Sequence, residues 1–305
     1  MRAPLRAPPQ VAHRAVEAGG CRIFYREAGP ADAPTLLLLH GFPSASHQFA
    51  RLLDALGDRF HLVAPDYPGF GHSSGLPVQQ GSAPAYTFDA LADAVEALCL
   101  KLDLRRFTAY LFDYGAPVGL RLAERHPEWI AGLVIQNGNA YDEGLSALAR
   151  GLVALRPGPG AATALEPVLT AEGVRGQHLG GAAHPERIPP ESWVLDLAAL
   201  EGPGRRAVQE ELALDYHRNV EAYPRWQAWL RHHRPPALVL WGRRDPFFLP
   251  AGAEAYHRDL PEAEVHLLDA GHFALDEALP EVAVQVGAFL ERVAEREHAA
   301  AGAGR

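Results

Sequence analysis

The sequence predicts an α/β fold with a mostly parallel sheet, and three observations carry that prediction. Short apolar runs alternate with helical patterns through the first 136 residues. The alternation stops between residues 137 and 234, where glycine, proline and aromatic clusters replace it. It resumes over residues 237–241 and 264–268. Runs this short and apolar suit strands buried on both faces of a parallel sheet. Alternation with helices supplies the crossovers that cover those faces.

The elements come in order. Residues 21–26 form an early strand, and the leucine run 35–40 is the first fully buried one. Residues 46–56 carry Phe49, Leu52, Leu53 and Leu56 at helical spacing. A second buried strand covers 60–64. Thr87 is a suitable N-cap for a helix over 87–102. Residues 107–112 form the next strand, 116–126 a helix, and 132–136 a further strand. Residues 137–234 read as a mostly helical insertion. The late strands 237–241 and 264–268 are followed by an amphipathic helix over 279–293, and the Gly/Ala-rich tail 295–305 is expected to fray. The domain division is therefore a core of residues 1–136 and 235–305 with a helical insertion at 137–234.

Composition narrows the function classes. The 305 residues are 48% hydrophobic, enough for a sizeable core, and carry a formal net charge of −9. No basic run stands out, so neither nucleic acid nor an anionic membrane is expected as a partner. No stretch of about 18 consecutive apolar residues occurs, so no membrane-spanning helix is expected. Residues 1–13 lack the apolar segment of a signal peptide. Cys21 and Cys99 are the only cysteines; they are expected to be buried and reduced in a cytoplasmic protein, and they supply neither a disulfide framework nor a four-cysteine metal site. No cofactor or metal is expected.

Ligands of such sheets bind at the carboxyl ends of the strands, and five strand-end loops carry reactive residues. They hold His40-Gly41-Phe42-Pro43, the loop beginning at Asp66, Asp113, Asp245-Pro246 and Gly271-His272-Phe273. Asp113 ends an apolar strand and precedes a small-residue turn into a helix, the outline of a strand–nucleophile–helix elbow that usually carries serine. A carboxylate there can attack an electrophilic sp³ carbon and form an ester. The loop from Asp66 contains Pro-Gly-Phe-Gly but lacks the Lys-Ser/Thr of a phosphate-binding loop; it reads as a turn packed beside the site.

These motifs resemble the α/β-hydrolase superfamily over roughly residues 19–294, and in particular its aspartate-nucleophile branch of soluble epoxide hydrolases and dehalogenases. His40-Gly41-Phe42-Pro43 resembles the branch's H-G-x-P motif. Phe112-Asp113-Tyr114-Gly115 resembles its H-D-W-G elbow with Phe for His and Tyr for Trp, and Leu111 stands where many relatives carry a small residue. The chain order Asp113, Asp245, His272 matches nucleophile, acid and histidine. The resemblance implies that Asp113 is the nucleophile, His272 the base that activates water, and Asp245 the residue that orients and stabilises it. It implies an oxyanion hole from the backbone N–H groups of Phe42 and Tyr114, each worth roughly 3 kcal/mol of barrier in other systems. His40 would support that loop, and the insertion would be the branch's helical cap domain.

The electrophile is the open question at this level. Tyr114 and Phe42 occupy positions where dehalogenases of this branch place halide-binding side chains, and the arginines of fluoroacetate-cleaving relatives are missing too. Epoxide hydrolases use cap tyrosines as acids. Residues 214–226 resemble their Y-R-N segment with a slip of one, since His217 separates Tyr216 from Arg218. Tyr216 is the first choice for the acid and Tyr141 the second. The expected activity is epoxide hydrolysis, on a small apolar electrophile and water. A dehalogenase with an atypical halide site is the alternative, and a non-catalytic ligand-binding protein of the same fold a third reading. A homodimer is compatible with the cap's aromatic residues.

Overall fold

A computed structural model describes residues 10–77 and 86–303, the side chains of residues 301 and 303 excepted. The strands are β1 (Ala12–Ala18), β2 (Cys21–Ala28), β3 (Thr35–Leu39), β4 (His61–Pro65), β5 (Phe107–Phe112), β6 (Ile130–Gln136), β7 (Ala237–Gly242) and β8 (Glu264–Leu268). They form one sheet in the order β1-β2-β4-β3-β5-β6-β7-β8. Pairing is parallel from β4 through β8 and antiparallel for β1–β2 and β2–β4. The fold is that of an α/β-hydrolase. Strands β4, β5, β6 and β7 are buried along their whole length, as continuous apolar runs require.

The core helices are α1 (Ala50–Leu56), α2 (Phe88–Lys101) and α3 (Gly115–Arg125). A 3₁₀ turn over Ser46–Phe49 precedes α1, where the spacing predicts one continuous helix. The Thr87 hydroxyl accepts from the Ala90 N–H, as its N-cap position requires. Six helices come after β6: α4 (Ala147–Val153), α5 (Ala161–Leu169), α6 (Ala171–Leu179), α7 (Pro190–Leu200), α8 (Arg205–Asp215) and α9 (His217–His233). After β7 come α10 (Pro250–Ala255), α11 (Ala274–Glu277) and α12 (Leu279–Ala303).

Two further expectations are corrected. Strand β1 precedes the first strand that the sequence predicts; its residues are mostly exposed, and His13, Arg14 and Glu17 interrupt the alanines and Val16, so no apolar run marks it. Helix α12 runs ten residues beyond Val293 to Ala303, because its Ala- and Glu-rich tail favours helix. The beginning and end of the chain, residues 1–9 and 304–305, lie outside the described residues.

The six helices after β6 are tied to the core by polar contacts. Asp215 accepts from the Phe88 N–H at 2.9 Å, and Glu211 from the Tyr86 N–H at 2.9 Å. Buried Arg121 on α3 donates to Asn219 of α9 at 2.7 Å and to Asp89 at 2.9 Å. Arg225 reaches Glu124 at 2.7 Å. These bonds dock α8 and α9 over α2 and α3, above the carboxyl end of β5.

Candidate active site

Asp113 follows the last residue of β5 with φ of 47°, a left-handed conformation that non-glycine residues rarely adopt. Such strain persists only where the surroundings enforce it. Helix α3 begins two residues later and lies directly on the sheet. A Cβ at Gly115 would sit 2.1 Å from the Leu39 carbonyl oxygen, so only glycine fits there. Leu111 is accommodated in the same way: a Cβ at Gly119 would sit 2.2 Å from its side chain, so the missing side chain makes room for the leucine.

The turn aims the carboxylate at two neighbours. Oδ1 accepts from the Phe42 N–H at 2.6 Å, and the Tyr114 N–H also bonds the carboxylate. Oδ2 faces Nε2 of His272 at 3.9 Å, beyond hydrogen-bond distance. Burial pushes Asp113 above the ordinary carboxylate range, against the His272 charge and the two amides that lower it.

His272 lies in the loop after β8 and is buried. Its Nδ1 is 2.7 Å from Oδ2 of Asp245, which stands in the turn after β7. Asp245 is further held by the Phe247 N–H at 2.7 Å and by the side-chain amide of Asn137 at 2.7 Å. Burial disfavours the imidazolium, yet the two carboxylates Asp245 and Asp113 outweigh it and hold His272 above its ordinary value.

Asn137 is a site residue that the sequence pattern conceals. It comes directly after β6 with φ of 45° and links two strand ends: Nδ2 to Asp245, Oδ1 to the Gly242 N–H at 3.0 Å. The pattern assigns it to the helical insertion as its first residue; it instead belongs to the core's strand-end machinery. Its place directly after a buried strand is the signal that could have found it.

The loop at Phe42 is held by His40. Its Nε2 accepts from the Tyr67 N–H at 3.2 Å, and Nδ1 lies 3.1 Å from the Gly41 carbonyl. Both bonds suit neutral imidazole, and burial lowers its pKa to about 4. The loop from Asp66 is a closed turn, with the carboxylate accepting from the Ser46 and His72 N–H groups at 2.7 Å each.

A partly open, mainly apolar cleft lies over Asp113 and His272. Its floor includes Phe42, Tyr114, Phe247 and Phe248; its walls are largely aliphatic side chains of α4, α5 and α8. Tyr216, between α8 and α9, also lines it and is 5% exposed. Its ring packs edge-on to Phe88 at 5.5 Å and lies 5.9 Å from that of Tyr114, not beside Trp226 or Trp229. Its hydroxyl pairs with that of Tyr223, and Asp113 is near enough for its charge to act on the phenol. Burial, first, and these neighbours raise the phenol well above its ordinary value, so it keeps its proton. His217 turns to the Leu214 carbonyl at 2.9 Å and does not line the cleft.

Tyr141 stands apart. Its hydroxyl donates to Asp259 at 2.7 Å, its ring packs on Tyr256, and it is not among the residues lining the cleft. Asn139, two residues earlier, donates to Tyr223 at 3.1 Å. Cys21 and Cys99 are buried and unpaired. Among the described residues no group of three or more His, Cys, Asp or Glu side chains is placed to hold a metal, and no helix is long and apolar enough to cross a membrane.

Comparison with known proteins agrees with this architecture. Residues 34–279 match the model of the alpha/beta hydrolase fold family. An uncharacterised hydrolase of Saccharomyces cerevisiae is 38% identical over 280 residues, 90% of this chain and 95% of that one. A haloalkane dehalogenase of Psychrobacter cryohalolentis is 33% identical over 117 residues, only 38% of this chain and 37% of the relative. The crystal structure of haloalkane dehalogenase DbeA from Bradyrhizobium elkani superposes with a TM-score of 0.76 at 23% identity, covering 94% of this chain and all of that one. The chain belongs to the α/β-hydrolase fold family and is a hydrolase related to the haloalkane dehalogenases.

Proposed function

We propose that the protein hydrolyses epoxides through an alkyl-enzyme ester on Asp113. The observation that carries the reading is the unequal environment of the two carboxylate oxygens. Oδ1 is held by the Phe42 amide at 2.6 Å, whereas Oδ2 is free toward the cleft and His272. Oδ2 attacks a ring carbon of the epoxide and the C–O bond breaks. Tyr216 gives its proton to the oxygen that leaves, a step worth 10²–10⁴-fold in comparable acid catalysis. The ester then has Oδ1 as its carbonyl oxygen, already on the Phe42 amide, with the Tyr114 amide beside it.

Hydrolysis uses the space between His272 and Asp113. A water there loses a proton to Nε2 of His272 and attacks Cγ of Asp113. The negative charge gathers on Oδ1, where the two amides stabilise it. Collapse expels the alkoxide carrying Oδ2, which takes the proton from His272 and leaves as the diol; the second proton of the water, on the new Asp113 carboxyl, returns to the Tyr216 phenolate. Asp245 and Asn137 hold the imidazole in line throughout. The helices after β6 act as the cap that supplies Tyr216 and the apolar walls.

The test is a single turnover of a terminal epoxide in ¹⁸O-labelled water. The label is expected in the Asp113 carboxylate and not in the first diol. Diol formation at an undiminished rate by Asp113→Ala would overturn the reading.

Dehalogenation is the second reading, favoured by the haloalkane dehalogenase relatives. It needs N–H or O–H donors for the departing halide, and no tryptophan is among the residues lining the cleft. Halide release from chloro- or bromoalkanes faster than epoxide turnover would select it.

A further inference from the structure

We propose that Gln209 reads a hydroxyl group on the far end of the substrate, so that the preferred substrate is an apolar chain with a polar terminus. Gln209 lines the cleft and is 2% exposed. Its Oε1 is fully buried and, among the described residues, no hydrogen-bond donor meets it. A buried acceptor left without a partner is costly, and native structures rarely keep one without a reason.

Its position gives the direction. Gln209, Ala213 and Tyr216 follow the i, i+4, i+7 spacing along α8 and all line the cleft. Seven residues at 1.5 Å each place Gln209 about 10 Å from Tyr216 along the helix. The amide is thus set apart from the reacting groups along the helix, and aliphatic side chains such as Leu165 and Leu169 line the same cleft. Gln177 of α6, which also lines the cleft, donates its amide to the Val168 carbonyl at 3.0 Å. Arg205, one turn before Gln209, sends Nη2 to the carbonyls of Ser73 at 2.9 Å and Gly71 at 3.4 Å. Its Nη1 is buried without a partner, as Oε1 of Gln209 is, so the two do not bond each other.

A substrate whose electrophilic carbon lies over Asp113 and whose chain runs along α8 would bring its last atoms to Gln209. A hydroxyl there donates to Oε1. A hydrocarbon end leaves the amide oxygen unpaired and is discriminated against, as sites built around a hydrogen bond reject analogues that lack it.

The orientation of the chain rests on the reading of Asp113 above, whereas the hydrogen bond does not depend on the chemistry, so the two are tested separately. The first arm is binding, by calorimetry on the full-length protein, of the isomers 1-octanol and heptyl methyl ether, which differ in the hydroxyl donor. The native protein is expected to bind the alcohol about tenfold more tightly. In Gln209→Leu and Gln209→Met, of similar volume, the ratio should fall to near one, with unchanged melting temperatures showing that both variants fold. A ratio near one in the native protein, no saturable binding of the alcohol, or a ratio that survives both substitutions would overturn the proposal. The second arm compares kcat/KM for 1,2-epoxyoctane with and without an 8-hydroxyl. If neither epoxide is turned over while the binding ratio responds to Gln209, the epoxide reading fails and this one stands. If both are turned over with a ratio indifferent to Gln209, the reverse holds.

Discussion

Two buried histidines, each between two aspartates, lie on either side of Phe273, and only one of them faces the cleft. His272 has Asp245 at 2.7 Å on Nδ1 and Asp113 at 3.9 Å on Nε2. His178 of α6 has Asp196 of α7 at 2.8 Å on Nε2 and Asp276 of α11 at 3.6 Å on Nδ1. The first ring meets Phe273 edge-on at 5.3 Å; the second stacks on it at 3.8 Å. Burial opposes a charge on either imidazole, and in both the carboxylates prevail and raise the pKa. The difference lies in what surrounds the carboxylate on Nε2. Asp113 has one oxygen on the Phe42 N–H and turns the other toward His272 beside a cavity. Asp196 is wholly buried, with His178 on one oxygen and His47 at 2.9 Å from the other. A histidine between two carboxylates is therefore not by itself a reactive site. A backbone-held oxygen beside an open cleft makes the one, and closure on all sides makes the other a fastening between the inserted helices and the core.

The sharpest way to break the comparison is to disable each histidine system in turn. In His272→Gln the first half-reaction needs no base, so the alkyl-enzyme should form and persist. Intact-protein mass spectrometry should show it one substrate heavier, and steady-state turnover should fall at least ~10⁴-fold, the scale of losses when a triad member is removed. Failure to accumulate the adduct, with turnover lost, would remove Asp113 as the nucleophile.

Asp196→Asn addresses the other system. It leaves His178 and His47 without their shared counter-charge, and removing one partner of a buried pair costs about 3 kcal/mol. Denaturant unfolding should register that loss, while the single-turnover rate of ester formation stays near the native value. A variant that is stable but slow in chemistry would mean that the two systems act as one.

The two also differ in how far the sequence disclosed them. Asp113, Asp245 and His272 each come after a short apolar run, and a parallel sheet brings strand ends to one edge, so their proximity is implicit in the pattern. Asn137 obeys the same rule, but it opens a stretch rich in glycine and proline, and that composition groups it with the insertion rather than with β6. Aligned on Arg218-Asn219, the Y-R-N segment puts His217 in the tyrosine's place, with Tyr216 one residue off; the turn between α8 and α9 sends the tyrosine into the cleft and the histidine to a backbone carbonyl. His178 and Asp196 come from two helices whose relative placement no periodicity specifies, and His47 and Asp276 from two further segments. Nothing local links four such residues; the contact exists only after the inserted helices dock. Strand β1 escapes detection for the opposite reason, since an exposed edge strand needs no apolar run.

The smallest effect expected is a divergence of two pH profiles. His178 has a pKa raised in the folded state, so its contribution to stability is complete below the unfolded value of about 6.5 and is lost as pH rises through the folded one. His272 is raised as well, but as the proposed base it acts in its neutral form, so hydrolysis of the ester should quicken over the same rise in pH. Activity and melting temperature should therefore move in opposite directions above about pH 6.5. Esterification adds a refinement. It removes the Asp113 charge, one of the causes that raise His272, so the base should titrate at lower pH in the alkyl-enzyme than in the free protein. Asp276→Asn separates the two histidines. It withdraws one of the carboxylates that raise His178 and should move the onset of the stability loss to lower pH, while the profile of ester hydrolysis, on which the His178 charge acts only as the smallest of the causes given for His272, should move much less. A hydrolysis profile that moved with the melting curve would show that the fastening, and not the Asp245–His272 pair, sets the pH dependence of turnover.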